Sequence, residues 1–394
     1  AVSIGSQVMH MITVMIVGLS MGSTVIIARA VGAEDKKSAS RTVGNTATLF
    51  MLISVALALT LLLFARRIVF AMSTPEQAVN GTFLYLSICF AGIPFITAYN
   101  IISSIFRGLG DSKSPMYFIA VACVANIIFD YIFMGALKLG PAGAALGTTL
   151  SQAVSVAIAL AVIIKRKLIS VERSDFVLRR EIVLPVLKIG FPVAMQDGFI
   201  QISFILITII ANRRGLADAA AVGIVEKIMS FMFLVPSSML STVSALASQN
   251  IGAKKYDRAD STLRFASFIA TGFGLAMAVL IQFSASSFVA LFTADSVVIA
   301  LGAQYLRGYI WDCFLGGIHF SFSGYFCALG KSGISFLHNL LSIVLVRVPG
   351  AYFMSKLFPE NLFPMGIATS CGSLLSVIVC VIAFCILRKR NFRL

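Results

Sequence analysis

Charge is scarce in this chain of 394 residues. Only 12% are Asp, Glu, Lys or Arg, 59% are hydrophobic, and the mean hydropathy is +0.96. Soluble domains carry about 25% charged residues. The shortfall excludes a soluble enzyme and a nucleic-acid binder and leaves a chain solvated by lipid. What charge exists is mostly basic, 31 Lys and Arg against 16 acids, and in such a chain that excess reports topology rather than contact with nucleic acid. Metal-ligating residues are equally thin. His10, His319 and His338 are scattered, and the seven cysteines sit in apolar runs without a Cys-x-x-Cys pair. No zinc or haem site is visible, and the cysteines read as small packing groups. An intramembrane enzyme would need a metal set or a nucleophile with its base, and no His-Glu-x-x-His occurs.

Long apolar runs are abundant. A membrane-spanning helix takes roughly 20 such residues. Eleven stretches qualify: 2–27, 43–64, 82–105, 115–137, 143–164, 189–211, 220–246, 265–291, 303–327, 334–356 and 365–387. The fold class is therefore all-α and polytopic. Most connectors are short and carry turn residues, as in Leu139-Gly-Pro-Ala-Gly143. The exception, 165–188, is rich in both signs of charge. It separates an N-terminal bundle, 1–164, from a C-terminal bundle, 189–394. Within it, Ser174 and Asp175 are expected to cap a surface helix running through Leu187.

Shifted by 220, the sequence matches itself. Val31-Gly-Ala33 answers Ile251-Gly-Ala253, Tyr85-Leu86 answers Tyr305-Leu306, and Phe106-Arg-Gly-Leu-Gly-Asp-Ser112 answers Phe326-Cys-Ala-Leu-Gly-Lys-Ser332. After a three-residue insertion, Pro141-Ala-Gly143 answers Pro364-Met-Gly366. A shared offset marks an internal repeat. Subtracting 220 from the span 189–211 places its counterpart before Ala1, so a first helix is expected that this chain lacks. The expected molecule has two tandem six-helix bundles related by a pseudo-twofold along the membrane normal. One set of loops holds 22 of the 31 Lys and Arg, which places that set, the central linker and the C-terminus in the cytoplasm of a multi-pass cell-membrane protein.

The tandem halves with a Gly-rich loop after the fourth helix bring a family into view. The chain resembles the multidrug and toxic compound extrusion (MATE) transporters. The resemblance rests on Ala30-Val-Gly-Ala-Glu-Asp35, Phe106-Arg-Gly-Leu-Gly-Asp-Ser-Lys-Ser-Pro115, Asn126-Ile-Ile-Phe-Asp130, Gly140-Pro-Ala-Gly-Ala-Ala145, Gly190-Phe-Pro192 and Ala247-Ser-Gln-Asn-Ile-Gly-Ala253. It implies two bundles around a cleft that opens alternately to each side. It also implies efflux of amphipathic, often cationic compounds against an inward flow of protons or sodium.

Ionisable groups in a span are costly, about 2.5–3.5 kcal/mol on insertion scales, and are functional candidates by default. Asn126 and Asp130 are i,i+4 and share a helix face; Thr148 opens the next helix at a similar depth. These hard-oxygen groups suit a sodium ion or a proton on Asp130, or else a hydrogen-bonded clamp between helices. The resemblance implies the cation site, together with an acid from the first helix. No other cofactor or metal is expected. Asp312 and His319 lie on one face of a later span. Asp312 reads as a cavity acid or as the buried partner of Arg347, and His319 as a polar contact or a proton relay. Asp197 with Gln201, and Glu226 beside Lys227, complete the candidate substrate cavity. Embedded acids outnumber embedded bases, which favours a cationic amphiphile as cargo over the lipid-linked sugar of a flippase in the same superfamily. A channel is disfavoured by the absence of a filter-like loop. The expected partners are a small amphiphilic substrate and membrane lipid, with no nucleic acid, and the chain reads as a monomer. Pro94, Pro236 and Pro349 mark expected kinks.

Overall fold

The computed structural model describes residues 2–72, 74–166 and 171–389, and among these no strand occurs. Each of the eleven expected stretches falls on helix. The order is α1 (Val2–Gly32), α2 (Lys36–Ala71), α3 (Glu76–Ala91), α4 (Ile93–Gly108), α5 (Lys113–Asp130), α6 (Pro141–Arg166) and α7 (Arg180–Asn212). Then come α8 (Leu216–Met232), α9 (Leu234–Gly252), α10 (Tyr256–Ala290), α11 (Ser296–Tyr309), α12 (Trp311–Ala328), α13 (Ser332–Leu341), α14 (Val348–Leu357) and α15 (Phe363–Lys389). A π-helical segment, Tyr131–Ala136, prolongs α5, and another, Ser342–Arg347, joins α13 to α14. Eight single helices, or continuous runs of helix, are long and apolar enough to cross a membrane. The bent pairs α3–α4 and α8–α9 raise the number to ten. The expected span 303–327 lies across α11 and α12, which meet at Ile310 and carry Arg307 and Asp312.

The breaks have physical causes. Pro94 sits in the first turn of α4, after a 45° bend at Gly92. Pro236 sits in the first turn of α9, after a 41° bend at Phe233. Pro349 opens α14 directly after the π segment. At Pro94 and Pro236 the missing proline N–H falls where a helix start leaves donors unpaired anyway, whereas at Pro349 the helix runs on unbroken from the π segment.

The 220-residue offset extends to individual hydrogen bonds. Thr24 Oγ1 donates to the Ser104 carbonyl at 3.2 Å, and Ser244 Oγ donates to the Gly324 carbonyl at 3.1 Å. Glu34 and Lys254, each at φ 58°, end their helices alike, as do Gly110 at φ 89° and Gly330 at φ 71°. At the last two, the left-handed backbone of the turn requires glycine. The caps differ between halves. Asp35 accepts the Ser38 amide at the start of α2, and Asp111 accepts the Lys113 and Ser114 amides at the start of α5, whereas Lys255 and Lys331 stand at the matching places.

The central connector departs from expectation. No helix runs from Ser174 through Leu187. A single 3-10 turn, Arg173–Phe176, is closed by Glu172 and Asp175, each accepting from the other's end of the turn. α7 then starts at Arg180, nine residues before the expected span. The N-terminal part of α2 holds this turn. Asn45 Nδ2 donates to the Asp175 carbonyl at 2.9 Å, Asn45 Oδ1 accepts the Arg179 amide at 2.6 Å, and Thr48 donates to the Phe176 carbonyl at 2.8 Å. The first turns of α7 lie against α1, where a Cβ on Gly22 would stand 2.0 Å from the Val186 carbonyl oxygen. The chain accordingly divides into two compact units, Ala1–Ala194 and Met195–Leu394, with the boundary inside α7.

Candidate functional site

In the first unit, Asp130 ends the α-helical part of α5, immediately before the π segment. It is half-buried. Asn126 Nδ2 donates to its Oδ1 at 3.4 Å, a long and therefore weak bond. The other face of the carboxylate meets α6 at Gly147, where a Cβ would come within 2.2 Å of Oδ1. α6 approaches this closely because Gly143 and Gly147 are four residues apart, the small-residue spacing that lets membrane helices touch. Gly143 faces the Phe133 backbone in the same way, its Cβ position 3.0 Å from the Phe133 carbonyl carbon. No hydrogen bond joins Thr148 to Asn126 or Asp130 among the described residues. Thr148 lies one residue past the contact, and its hydroxyl donates to the Ala144 carbonyl at 3.0 Å. Among the described residues no cation forms an ion pair with Asp130.

In the second unit, Asp312 is not an open cavity acid. It is 1% exposed, and its Oδ2 lies 3.4 Å from Arg347 Nη2. Arg347 is carried inward by the second π segment and is itself buried. It donates to the Tyr309 hydroxyl at 2.7 Å and stacks over Phe204 and Tyr309, 5.2 and 5.7 Å from the ring centres. The structure thus realises the ion-pair alternative for Asp312. Glu226 lies within electrostatic range of the same guanidinium and accepts the Thr208 hydroxyl at 3.4 Å on both oxygens. Lys227 points away and is exposed, as adjacent helical positions about 100° apart require.

A second buried polar group lies further along α12. His319 is 4.6 Å from the Phe320 ring and 5.8 Å from the His338 ring, centre to centre. His338 Nε2 and Ser323 Oγ share a hydrogen bond of 2.8 Å, while Nδ1 of each histidine has no partner among the described residues. Gln196, beside Asp197 in the sequence, is fully buried and accepts from Ser335 at 2.6 Å. Asp197 and Gln201 share a half-buried face of α7, and the geometry does not join them to the Asp312 pair. Gln196 and Arg347 are thus the buried partners that sequence reasoning underweighted. The one signal for Arg347 was its place as a lone base inside an apolar run.

Two further arrangements bear on function. A Gly-x-Ser-x-Gly string does occur, Gly18–Gly22. It lies within α1 and Ser20 donates to the Val17 carbonyl at 2.8 Å, so it is not the strand-to-helix elbow of a hydrolase. Among the described residues no three His, Cys, Asp or Glu converge on a metal position. In the loop before α5, burial works to raise the Asp111 pKa. Hydrogen bonds from the Ser114 hydroxyl and amide and the Lys113 amide, with Arg166 at 3.5 Å, outweigh it and hold the carboxyl below its ordinary range.

Comparison with known proteins agrees with this architecture. The MatE family model matches residues 1–132 and 192–353. The chain is 27% identical over 347 residues to the probable multidrug resistance protein YoeA of Bacillus subtilis, covering 86% of this chain and 75% of that one. It is 22% identical over 340 residues to the multidrug export protein MepA of Staphylococcus saprophyticus, with the same two coverages. In fold it is similar to a mutant of the Vibrio cholerae MATE transporter VcmN, with a TM-score of 0.91 at 21% identity over 99% of this chain and 89% of that one.

Proposed function

The chain belongs to the MatE family of multi-span membrane transporters, and from that membership we propose that it is a secondary active exporter of amphipathic, cationic compounds. Inward flow of protons or sodium drives it by antiport through alternating access. The observation that carries the reading is Asp130, a carboxylate in a membrane span with no cationic partner among the described residues. A charge left alone in that setting is met by a bound cation or removed by a proton. Of the two ions the proton is favoured. A lone carboxylate holds a proton without further ligands, whereas sodium would need a fuller oxygen shell than the Asn126–Asp130 pair offers. Exchange of the ion changes the polarity where Gly147 presses on the carboxylate, and so biases how α5 and α6 pack.

The cationic cargo is supported by the surplus of embedded acid. Asp312 is paired with Arg347, which leaves Glu226 and Asp197 as embedded acids of the second unit without an ion pair among the described residues. The same pairing speaks against a pyrophosphate-gripping flippase, because Arg347 is already engaged. Localisation in the cell membrane with a cytoplasmic C-terminus follows from the distribution of Lys and Arg. The test is efflux of a fluorescent lipophilic cation from cells expressing the protein, with the proton and sodium gradients collapsed one at a time. Loss of efflux under the proton collapse alone is expected. Efflux that persists under both collapses contradicts coupling.

A further inference from the structure

On the second unit, α10, α12 and α15 enclose a groove of about 550 Å³ that opens at the surface of that unit. Its walls are apolar, formed by Leu263, Phe268, Leu275, Ile318, Phe322 and Phe384. Its charged groups gather at one end, where Asp260 and Arg264 of α10 and Arg388 of α15 line it. That end lies on the side of the basic loops, since α10 begins at Tyr256 and α15 ends at Lys389. The Tyr325 hydroxyl donates to Asp260 and ties it down. Neither Arg264 nor Arg388 has a hydrogen bond or an ion pair among the described residues. Both are exposed. Three residues beyond Arg264, Ser267 lines the groove with its Oγ shielded from water and without a partner.

We infer that this groove binds one anionic phospholipid of the cytoplasmic leaflet, its phosphodiester held by Arg264 and Arg388, an ester carbonyl by Ser267 and an acyl chain along the aromatic wall. The distances along α10 fit that occupant. From Arg264 to Leu275 is eleven residues, about 16 Å at 1.5 Å per residue, close to half of a hydrocarbon core of about 30 Å. Ser267 lies about 4.5 Å deeper than Arg264 by the same rise, the step from a phosphate to the glycerol esters. The charges fit as well. Two guanidiniums against one carboxylate leave the mouth at plus one, which complements a lipid with one negative charge and not a zwitterion. A guanidinium pair also presents donors in the geometry that phosphate oxygens accept. The inference is independent of the coupling ion and of the substrate.

The test measures binding of phosphatidylglycerol and phosphatidylcholine to the purified protein in mixed detergent micelles, by native mass spectrometry. The wild-type protein should retain phosphatidylglycerol at lipid concentrations where phosphatidylcholine is lost. Arg264→Gln with Arg388→Gln should weaken phosphatidylglycerol about 30-fold, about fivefold for each arginine near the membrane surface, and leave phosphatidylcholine unchanged. Arg264→Lys with Arg388→Lys should keep most of the affinity. Soluble glycerol phosphate, the headgroup without chains, should not compete. Equal retention of the two lipids by the wild-type protein would overturn the proposal without reference to any variant. So would an unchanged affinity in the glutamine pair, competition by glycerol phosphate at comparable concentration, or displacement of the lipid by cationic amphiphiles alone.

Discussion

Replacing Arg347 with Met removes the cation paired with Asp312 while keeping much of the side-chain volume. Asp312 is 1% exposed, so water cannot take over the lost contact. Removing one partner of a buried ion pair costs about 3–5 kcal/mol, because the other charge is stranded. Glu226, within range of the same guanidinium, adds to the penalty. The reverse change, Asp312→Asn, should be milder, at about 1–3 kcal/mol. It leaves Arg347 bonded to the Tyr309 hydroxyl at 2.7 Å and stacked over Phe204. The combined variant should be more stable than Arg347→Met alone. Trp311, the chain's single tryptophan, adjoins Asp312 and reports the local melt by its fluorescence. For a unit of 150–250 residues, about 1 kcal/mol shifts Tm by ~2–4 °C, so Arg347→Met should melt about 6–20 °C below the wild type. If the two single losses are both below about 1 kcal/mol and simply add in the double variant, the buried pair is not the anchor described.

Other expectations follow from the same geometry. Gly147→Ala puts a Cβ 2.2 Å from the Asp130 carboxylate and should cost about 1–3 kcal/mol of overpacking along with most gradient-driven efflux, whereas Gly135→Ala, with nothing within 4 Å of its Cβ position, should be silent in both melting and transport assays. Asp111→Ala should lose about 1 kcal/mol of helix capping. Because the folded Asp111 carboxyl titrates below its ordinary range, that contribution is present above the unfolded pKa and fades as pH falls through the folded one, so the wild-type and variant melts should converge in acid. Single cysteines at Ser174 and at Leu216, both exposed, should label from opposite sides of the membrane with an impermeant thiol reagent in a background stripped of native cysteine. Outside labelling at Ser174 would reverse the assigned orientation.

The spans were readable because hydropathy over some 20 residues is a property of composition, and the internal repeat because one offset carried whole motifs. Helix ends were less so. α2 and α10 begin at Lys36 and Tyr256, before their apolar runs, because helix hydrogen bonding continues into polar turns that a hydropathy count ends early. The connector was misread because Asp175 is buried by a tertiary contact with Asn45, which no local pattern encodes. At the candidate sites, helical spacing put Asn126 beside Asp130 correctly, since i,i+4 is a local relation. The Gly143–Gly147 pair could have been picked out by its spacing. The rotation that turns Thr148 aside and brings Gly147 to the carboxylate depends on how α6 packs on α5, and that is set by the whole bundle. The pairing of Asp312 with Arg347 bridges two distant helices and was legible only as one of two alternatives.

The measurement closest to the central claim is gradient-driven efflux by Asp130→Asn at wild-type expression. The substitution keeps the shape and a hydrogen-bonding partner for Asn126 but removes the charge that a proton or cation must answer. The account predicts that the variant inserts and binds a lipophilic cation with affinity close to wild type, yet no longer exports it when a proton or sodium gradient is imposed. Efflux at the wild-type rate, with the wild-type dependence on the gradient, would contradict the account and leave Asp130 as a hydrogen-bonded clamp between α5 and α6.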